Sequence, residues 1–239
     1  MAAAVRVVVP ELLDNLAPSD PNAARSRRDL RRIHRVMRSV SILRHAIERL
    51  ELAVAPRRIL ELGAGDGTLM LRVAQALQPS WPEVALTLLD RHDLLNAETR
   101  AGFESLGWTV TVLRQDALDW AVAGTSTPFD LCMTTLFLHH FPADPLALLM
   151  RAVASNAHAF VACEPRRSAL ASVGSGLVGL LGANRVTRED AVSSVRAGFS
   201  QRELTALWPS GGANWSCQEY QALPFSHCFT AIRNRVGQP

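Results

Sequence analysis

The chain has 239 residues, nearly half of them apolar and a fifth charged, with a formal net charge of +3. That composition excludes a disordered polyelectrolyte and supplies enough apolar residues for one core, with at most a modest appendage. Cysteines at 132, 163, 217 and 228 form no CxxC pair and no metal-like spacing; nothing in them suggests a disulfide framework, and a reducing cytoplasm fits.

The opening, MAAAVRVVVPELLDNL, lacks the charged start of a signal peptide and meets Pro10 and Glu11 early. Asn15, Pro18, Asp20, Pro21 and Asn22 mark residues 1–24 as a loosely structured lead-in. Leu30, Ile33, Met37, Val40, Leu43, Ile47 and Leu50 then keep three- and four-residue steps, which predicts one amphipathic helix closed by Pro56. Seven arginines fall between 25 and 38, and Arg28, Arg31, Arg32 and Arg35 share a face. No aromatic residue interleaves them, which argues against nucleic acid and for a solvated face or weak attraction to anionic membrane lipid or an acidic partner.

From residue 57 strands and helices alternate. RILEL is a strand, TLMLRVAQAL a helix ended by Pro79, EVALTLLD a strand, RHDLLNAETRAGFESLG mostly helix, and TVTVLRQD a strand. FDLCMTTLF is a strand, DPLALLMRAVASNA a helix capped by Asp144 with Pro145 in its first turn, and HAFVACE a strand. Such alternation implies right-handed crossovers and a parallel sheet covered on both faces. Residues 165–200 exceed a simple crossover and read as a helical lid, with Gly174 to Leu181 as a slot for a hydrophobic molecule or as a face packed on the core. SQREL at 200–204 reads as a capping box. The tail WSCQEYQALPFSHCFTAIR predicts an antiparallel strand pair. The longest apolar run, 169–183, is shorter than the about 20 residues a membrane span needs.

The stretch RILELGAGDGTL carries glycines at 63, 65 and 67 between a strand and a helix, with Glu61 before the turn and Asp66 within it. A bare backbone there lets a ligand lie against main-chain N–H groups. The dinucleotide pattern G-x-G-x-x-G fails at its third position, which is Thr68. A carboxylate two residues before the turn suits a cationic ligand better than a pyrophosphate. Asp90 and Asp116 end the second and third strands.

These features resemble motif I and its partners in the class I S-adenosylmethionine-dependent methyltransferases, from about residue 57 to the C-terminus. The resemblance implies a Rossmann-like α/β fold: a seven-stranded, mostly parallel sheet with an antiparallel C-terminal edge pair. It divides the chain into an N-terminal helical extension, residues 1–56, covering the substrate, and a methyltransferase domain, residues 57–239. It assigns Glu61, Gly63, Ala64, Gly65, Gly67, Asp90, Arg91, Asp116, Ala117, Thr134 and Leu136 to S-adenosylmethionine. Asp90 would take the ribose hydroxyls and Asp116 the adenine amino group. Each acid could instead serve only as a helix N-cap.

After the fourth strand, TTLFLHHFPADP places His139 and His140 at the carboxyl edge of the sheet, where ligands bind in such folds. Paired histidines there resemble the methyltransferases of ubiquinone and menaquinone biosynthesis and relatives acting on phenolic or polyketide-like compounds. That resemblance implies a small hydrophobic acceptor methylated on a hydroxyl or an activated carbon. Either histidine could serve as general base, with His140 slightly preferred, or both could merely shape the loop; adjacent residues are expected to face apart, so at most one should reach substrate. His34 and Met37 are expected near the acceptor, and no metal is expected. The rival readings are a nicotinamide-dependent oxidoreductase on the same sheet and a non-catalytic cofactor-binding protein.

Overall fold

The computed structural model describes residues 5–78, 80–209 and 214–234. Seven strands form one sheet: β1 Arg58–Leu62, β2 Ala85–Asp90, β3 Thr109–Arg114, β4 Phe129–Thr135, β5 Ala157–Pro165, β6 Trp215–Ala222 and β7 Ser226–Arg233. Their order is β3-β2-β1-β4-β5-β7-β6. The first five strands pair in parallel, and β7 runs antiparallel to both β5 and β6. The chain leaves β1 toward one edge and returns to β4 on its other side. That reversal opens a crevice at the carboxyl ends of the strands.

Helices cover both faces. On one side, α2 (Ser39–Glu48), α3 (Thr68–Leu77) and α4 (Ala97–Glu104) enclose a core containing Leu43, Ile59, Met70, Phe103 and Trp108. On the other, α5 (Ala117–Ala123), α6 (Ala143–Asn156) and α9 (Glu203–Leu207) pack over Leu60, Leu149, Phe160, Trp208 and Phe229. Residues 59 and 60 thus feed opposite cores, as strand alternation requires. The remaining helices, α1 (Pro21–Val36), α7 (Ala169–Gly176) and α8 (Arg185–Ala197), lie over the crevice.

Several expectations are revised. The long N-terminal helix is two helices, because Arg38 adopts the left-handed region at φ 56°. The bend lets α2 join the core while the apolar side of α1, with Leu30, Ile33 and Met37, faces the crevice. The second helix ends at Glu48, well before Pro56. Residues 91–96 are loop, and Asn96 caps α4 by accepting from the Thr99 N–H at 2.8 Å. Asp144 sits in the first turn of α6 rather than capping it, since the helix starts at Ala143 behind Pro142. Of the box at 200–204, the return half forms: Glu203 accepts from the Ser200 N–H at 2.9 Å. Pro79, expected to end α3, lies outside the described residues. Among the described residues no helix is long and apolar enough to cross a membrane.

The lead-in is better anchored than its composition suggests. The Arg6 guanidinium donates to the carbonyls of Ala197 (2.7 Å), His139 (3.1 Å) and Phe141 (2.9 Å) and stacks on Phe199. The N–H groups of Leu12 and Leu13 donate to the two carboxylate oxygens of Asp190 on α8, at 2.7 and 3.0 Å. Buried Asp29 on α1 accepts from the Asn184 N–H at 2.9 Å, at the start of α8. Residues 6–29 are thereby tied to the lid and to the loop after β4.

Candidate active site

One cavity of about 980 Å³ runs along the carboxyl edge of the sheet, under α1, α7 and α8. One end is built by the loop between β1 and α3. Gly63, Gly65 and Gly67 all have positive φ (67°, 57° and 71°), a region that side chains with a Cβ avoid. A Cβ on Gly63 would lie 2.3 Å from the Phe137 ring, whereas one on Gly65 would meet nothing within 4 Å. Gly63 is therefore bare for packing. Gly65 is bare where the loop faces open cavity.

Around this loop stand four carboxylates. Glu61 is buried, and its Oε2 has no hydrogen-bond partner among the described residues. Burial, reinforced by nearby Asp90 and Asp66, pushes its pKa up to about 8. An uncompensated buried carboxyl at a cavity wall is expensive unless a ligand completes it. Asp90 accepts from the Gly65 N–H (2.9 Å) and the His92 N–H (3.0 Å) on separate oxygens. Each oxygen keeps a lone pair for a further donor. Asp116 caps α5 through the Leu118 N–H at 2.7 Å, so the capping role is real, yet it also lines the cavity with Ala117. Asp66 holds the Thr68 N–H at 3.0 Å and meets Arg31 of α1 at 3.2 Å.

Thr134 departs from its expected place. It is fully buried within the sheet, and its hydroxyl donates to the Leu62 carbonyl at 3.0 Å. The cavity wall begins one residue later, at Thr135 and Leu136, because the strand alternates faces. Ala64, Leu136 and Arg91 line the cavity, and Arg91 pairs with Asp14 at 3.2 Å.

The same cavity carries the histidines, on the turn that Phe137 packs against Gly63. Residues 138–140 form a short 3-10 turn anchored by buried Glu164 from the end of β5. Its carboxylate accepts from the N–H groups of Phe137 (3.1 Å), Leu138 (3.0 Å) and His139 (3.3 Å). It also meets His139 Nδ1 at 2.8 Å. The far ring nitrogen of His139, Nε2, lies 3.3 Å from Glu11. Burial opposes charge on this ring, but the two carboxylates outweigh it and push the pKa up to about 9. While both carboxylates face it unshared, the ring favours its protonated form and is a poor proton acceptor.

His140 is one-fifth exposed, with Nδ1 3.1 Å from Asp14 and Nε2 3.9 Å from Glu11. The expectation that only one histidine faces the cavity fails. Both rings line it, with centroids 4.4 Å apart, because the tight turn and the shared carboxylates Glu11 and Asp14 draw them the same way.

The rest of the lining is mainly apolar: Leu30, Ile33, Met37, Phe141, Val178 and Phe225 are among its members. His34 also lines it, bonded to Ser39 at 3.1 Å, and burial pulls its pKa down to about 4, so it is neutral. The 174–181 segment contributes Gly174, Leu177, Val178 and Leu181 to the cavity. Arg167 turns away from it to Glu203 at 2.5 Å. Sequence reading missed Glu11, Asp14, Asp190 and Phe225. Their partners lie far along the chain, and the only local signal was a pair of acids three apart after an apolar run.

With this geometry in view, comparison with known proteins is informative. The family profile described as a methyltransferase domain matches residues 59–158. No curated protein matches the sequence. In structure the chain is similar to the plantazolicin methyltransferase BpumL, solved in complex with SAH, with TM-score 0.66, 15% identity, and 91% and 92% of the two chains covered. It is also similar to an O-methyltransferase family protein from Burkholderia thailandensis, with TM-score 0.61, 16% identity, and 92% and 62% covered. A third likeness is to magnesium protoporphyrin IX methyltransferase from Synechocystis PCC 6803 with bound SAH, with TM-score 0.53, 16% identity, and 87% and 86% covered. At such identities the structural likeness is one of fold, and the matched domain spans β1 to the start of β5.

Proposed function

We propose that this chain, which carries a class I S-adenosylmethionine-dependent methyltransferase domain, methylates a small hydrophobic acceptor at a phenolic or enolic hydroxyl or its activated carbon. When bound, S-adenosylmethionine supplies a methyl group on a sulfonium, so that an acceptor–CH3 bond forms as the S–CH3 bond breaks and a neutral thioether is left. The chain's own residues fit that group. Glu61, with its unpartnered oxygen, would face the cationic end; Gly65 leaves backbone clear; Asp90 has lone pairs for a diol; and Asp116, on the cavity lining, would meet the adenine. The observation carrying the proposal is the placement of that carboxyl and of the histidine pair on the walls of one cavity.

The remaining work is to hold and activate the acceptor. Positioning alone can contribute about 7–11 kcal/mol, and a roofed apolar cavity is suited to it. The polar end, at Glu11, Asp14, His139 and His140, is rich in hydrogen-bond acceptors and anionic groups. It suits a molecule arriving with an O–H rather than a carboxylate. Within the arginine row of α1, Arg31 is paired with Asp66 and Arg32 with Asp29. Four free thiols, three of them buried, suit a cytoplasmic setting.

The test is calorimetric titration with S-adenosylhomocysteine, followed by assays with neutral phenols and enols. Binding with turnover supports the reading; absence of binding, or heat protection by a nicotinamide dinucleotide instead, overturns it.

A further inference from the structure

The geometry points to a divalent transition-metal site at the acceptor end of the cavity, with His139 Nε2, His140 Nε2 and the Glu11 carboxylate as ligands. The inference rests on the methyltransferase reading above and deepens it, by naming what holds the acceptor oxygen.

The ligand atoms are already together. Nε2 of His139 is 3.3 Å from one Glu11 oxygen, Nε2 of His140 is 3.9 Å from the other, and the three groups offer ligand atoms all within 4.8 Å of one another. A zinc-like ion needs its ligands at about 2.0–2.2 Å, which sets neighbouring donor atoms roughly 3–3.5 Å apart. The cluster reaches that spacing once its farthest donor atoms, within 4.8 Å, close by roughly an ångström.

Each ring is oriented from behind. His139 Nδ1 meets Glu164 at 2.8 Å, and His140 Nδ1 meets Asp14 at 3.1 Å. With the Nδ1 proton given to a carboxylate, a neutral imidazole presents only a lone pair at Nε2. Both lone pairs then point at the Glu11 carboxylate, itself an acceptor whose one hydroxyl donor is Ser194. Two protons could fill the gaps, but that puts two imidazolium rings 4.4 Å apart. One divalent cation satisfies all three groups at once. Carboxylates behind ligating histidines are the usual outer support of such sites. Glu164 is in turn fixed by three backbone N–H groups, and Arg6 holds the turn from its carbonyl side.

Two imidazoles and one carboxylate suit zinc and its transition-metal neighbours rather than magnesium or calcium, which prefer oxygen shells. The three ligands face the cavity, so coordination positions remain open toward the acceptor. A phenolic or enolic O–H binding there gives its proton to solvent and stays on the cation as an oxyanion. That oxyanion is the nucleophile for the methyl group.

The experiment uses the full chain, stripped with a chelator and titrated with Co2+. The visible absorption spectrum is recorded and Zn2+ serves as competitor. One equivalent per chain, with an imidazole-type spectrum displaced by Zn2+, is expected. Glu11→Gln and His140→Ala should weaken binding at least tenfold, and Asp14→Asn about 10–100-fold. S-adenosylhomocysteine binding by each variant serves as the folding control. A folded wild type that takes up no stoichiometric Co2+, or variants that bind it as the wild type does, overturns the site. Undiminished methyl transfer by metal-free protein also overturns it and leaves the methyltransferase reading intact. A chain that binds Co2+ but no S-adenosyl compound keeps the site and fails that reading.

Discussion

Glu61 offers the sharpest quantitative handle. Its carboxyl is buried, has one oxygen without a partner, and stands near Asp66 and Asp90, so its pKa rises from an ordinary 4.5 to about 8. That difference corresponds to roughly 4–5 kcal/mol in favour of the protonated form. If a cationic ligand is bound by the ionised acid, ligand affinity must climb with pH. From pH 6 to pH 8 it should strengthen by up to about tenfold per unit, then level off. The ligand's own amino group titrates in the same range, so the comparison is with Glu61→Gln, which keeps that titration and loses the protein's. Calorimetry at several pH values, in buffers of different ionisation heat, should show a proton leaving the wild type on binding near pH 7 and none leaving the variant from this site. The same shift has a stability consequence. A raised carboxyl pKa means the folded state holds its proton more tightly than the unfolded state, so stability falls as pH rises from about 4.5 to about 8. Glu61→Gln should therefore raise Tm more at pH 8 than at pH 5. Equal pH profiles for ligand binding by wild type and variant would refute the reasoning.

Asp90→Ala should weaken S-adenosylhomocysteine binding at least tenfold in a calorimetric titration, through loss of charge-assisted bonds to a diol. Gly63→Ala and Gly65→Ala should separate packing from binding. The first drives a Cβ into Phe137 and should lower Tm markedly; the second meets only backbone strain of about 1–2 kcal/mol and should act chiefly on ligand affinity. His140→Ala should lower kcat/KM at least tenfold, measured with saturating methyl donor, while cofactor affinity is unchanged, because the ring lines the acceptor end of the cavity. Arg6→Ala should raise KM for the acceptor and leave cofactor binding intact, because it frees the carbonyls of the 138–141 turn and the stretch of lead-in bearing Glu11.

The sheet and the glycine-loop end of the cavity were legible because their signals are local. Strand–loop–helix alternation, glycines two apart and acids at strand ends are all encoded within a few residues, and the observed order places them on one edge. Thr134 was misplaced by a single residue, since the cavity wall begins at Thr135 and strand alternation turns neighbours to opposite faces. The kink at Arg38 was invisible because the three- and four-residue apolar steps run straight through it. The acceptor end was the least legible. Glu11 and Asp14 lie in a stretch rich in turn formers, and their histidine partners are 128 and 126 residues away. Nothing in a local pattern reports such a pairing, which depends on Arg6 and Asp190 fastening the lead-in across the cavity.

The central claim is most directly tested by incubating the protein with S-adenosylmethionine labelled in its methyl group and a panel of neutral, apolar phenols and enols. Mass analysis then follows both products. The account predicts the label on the hydroxyl or adjacent carbon of an apolar acceptor, with an equal amount of S-adenosylhomocysteine formed. Failure to bind either S-adenosyl compound, or label appearing only on a nucleic acid, would contradict it.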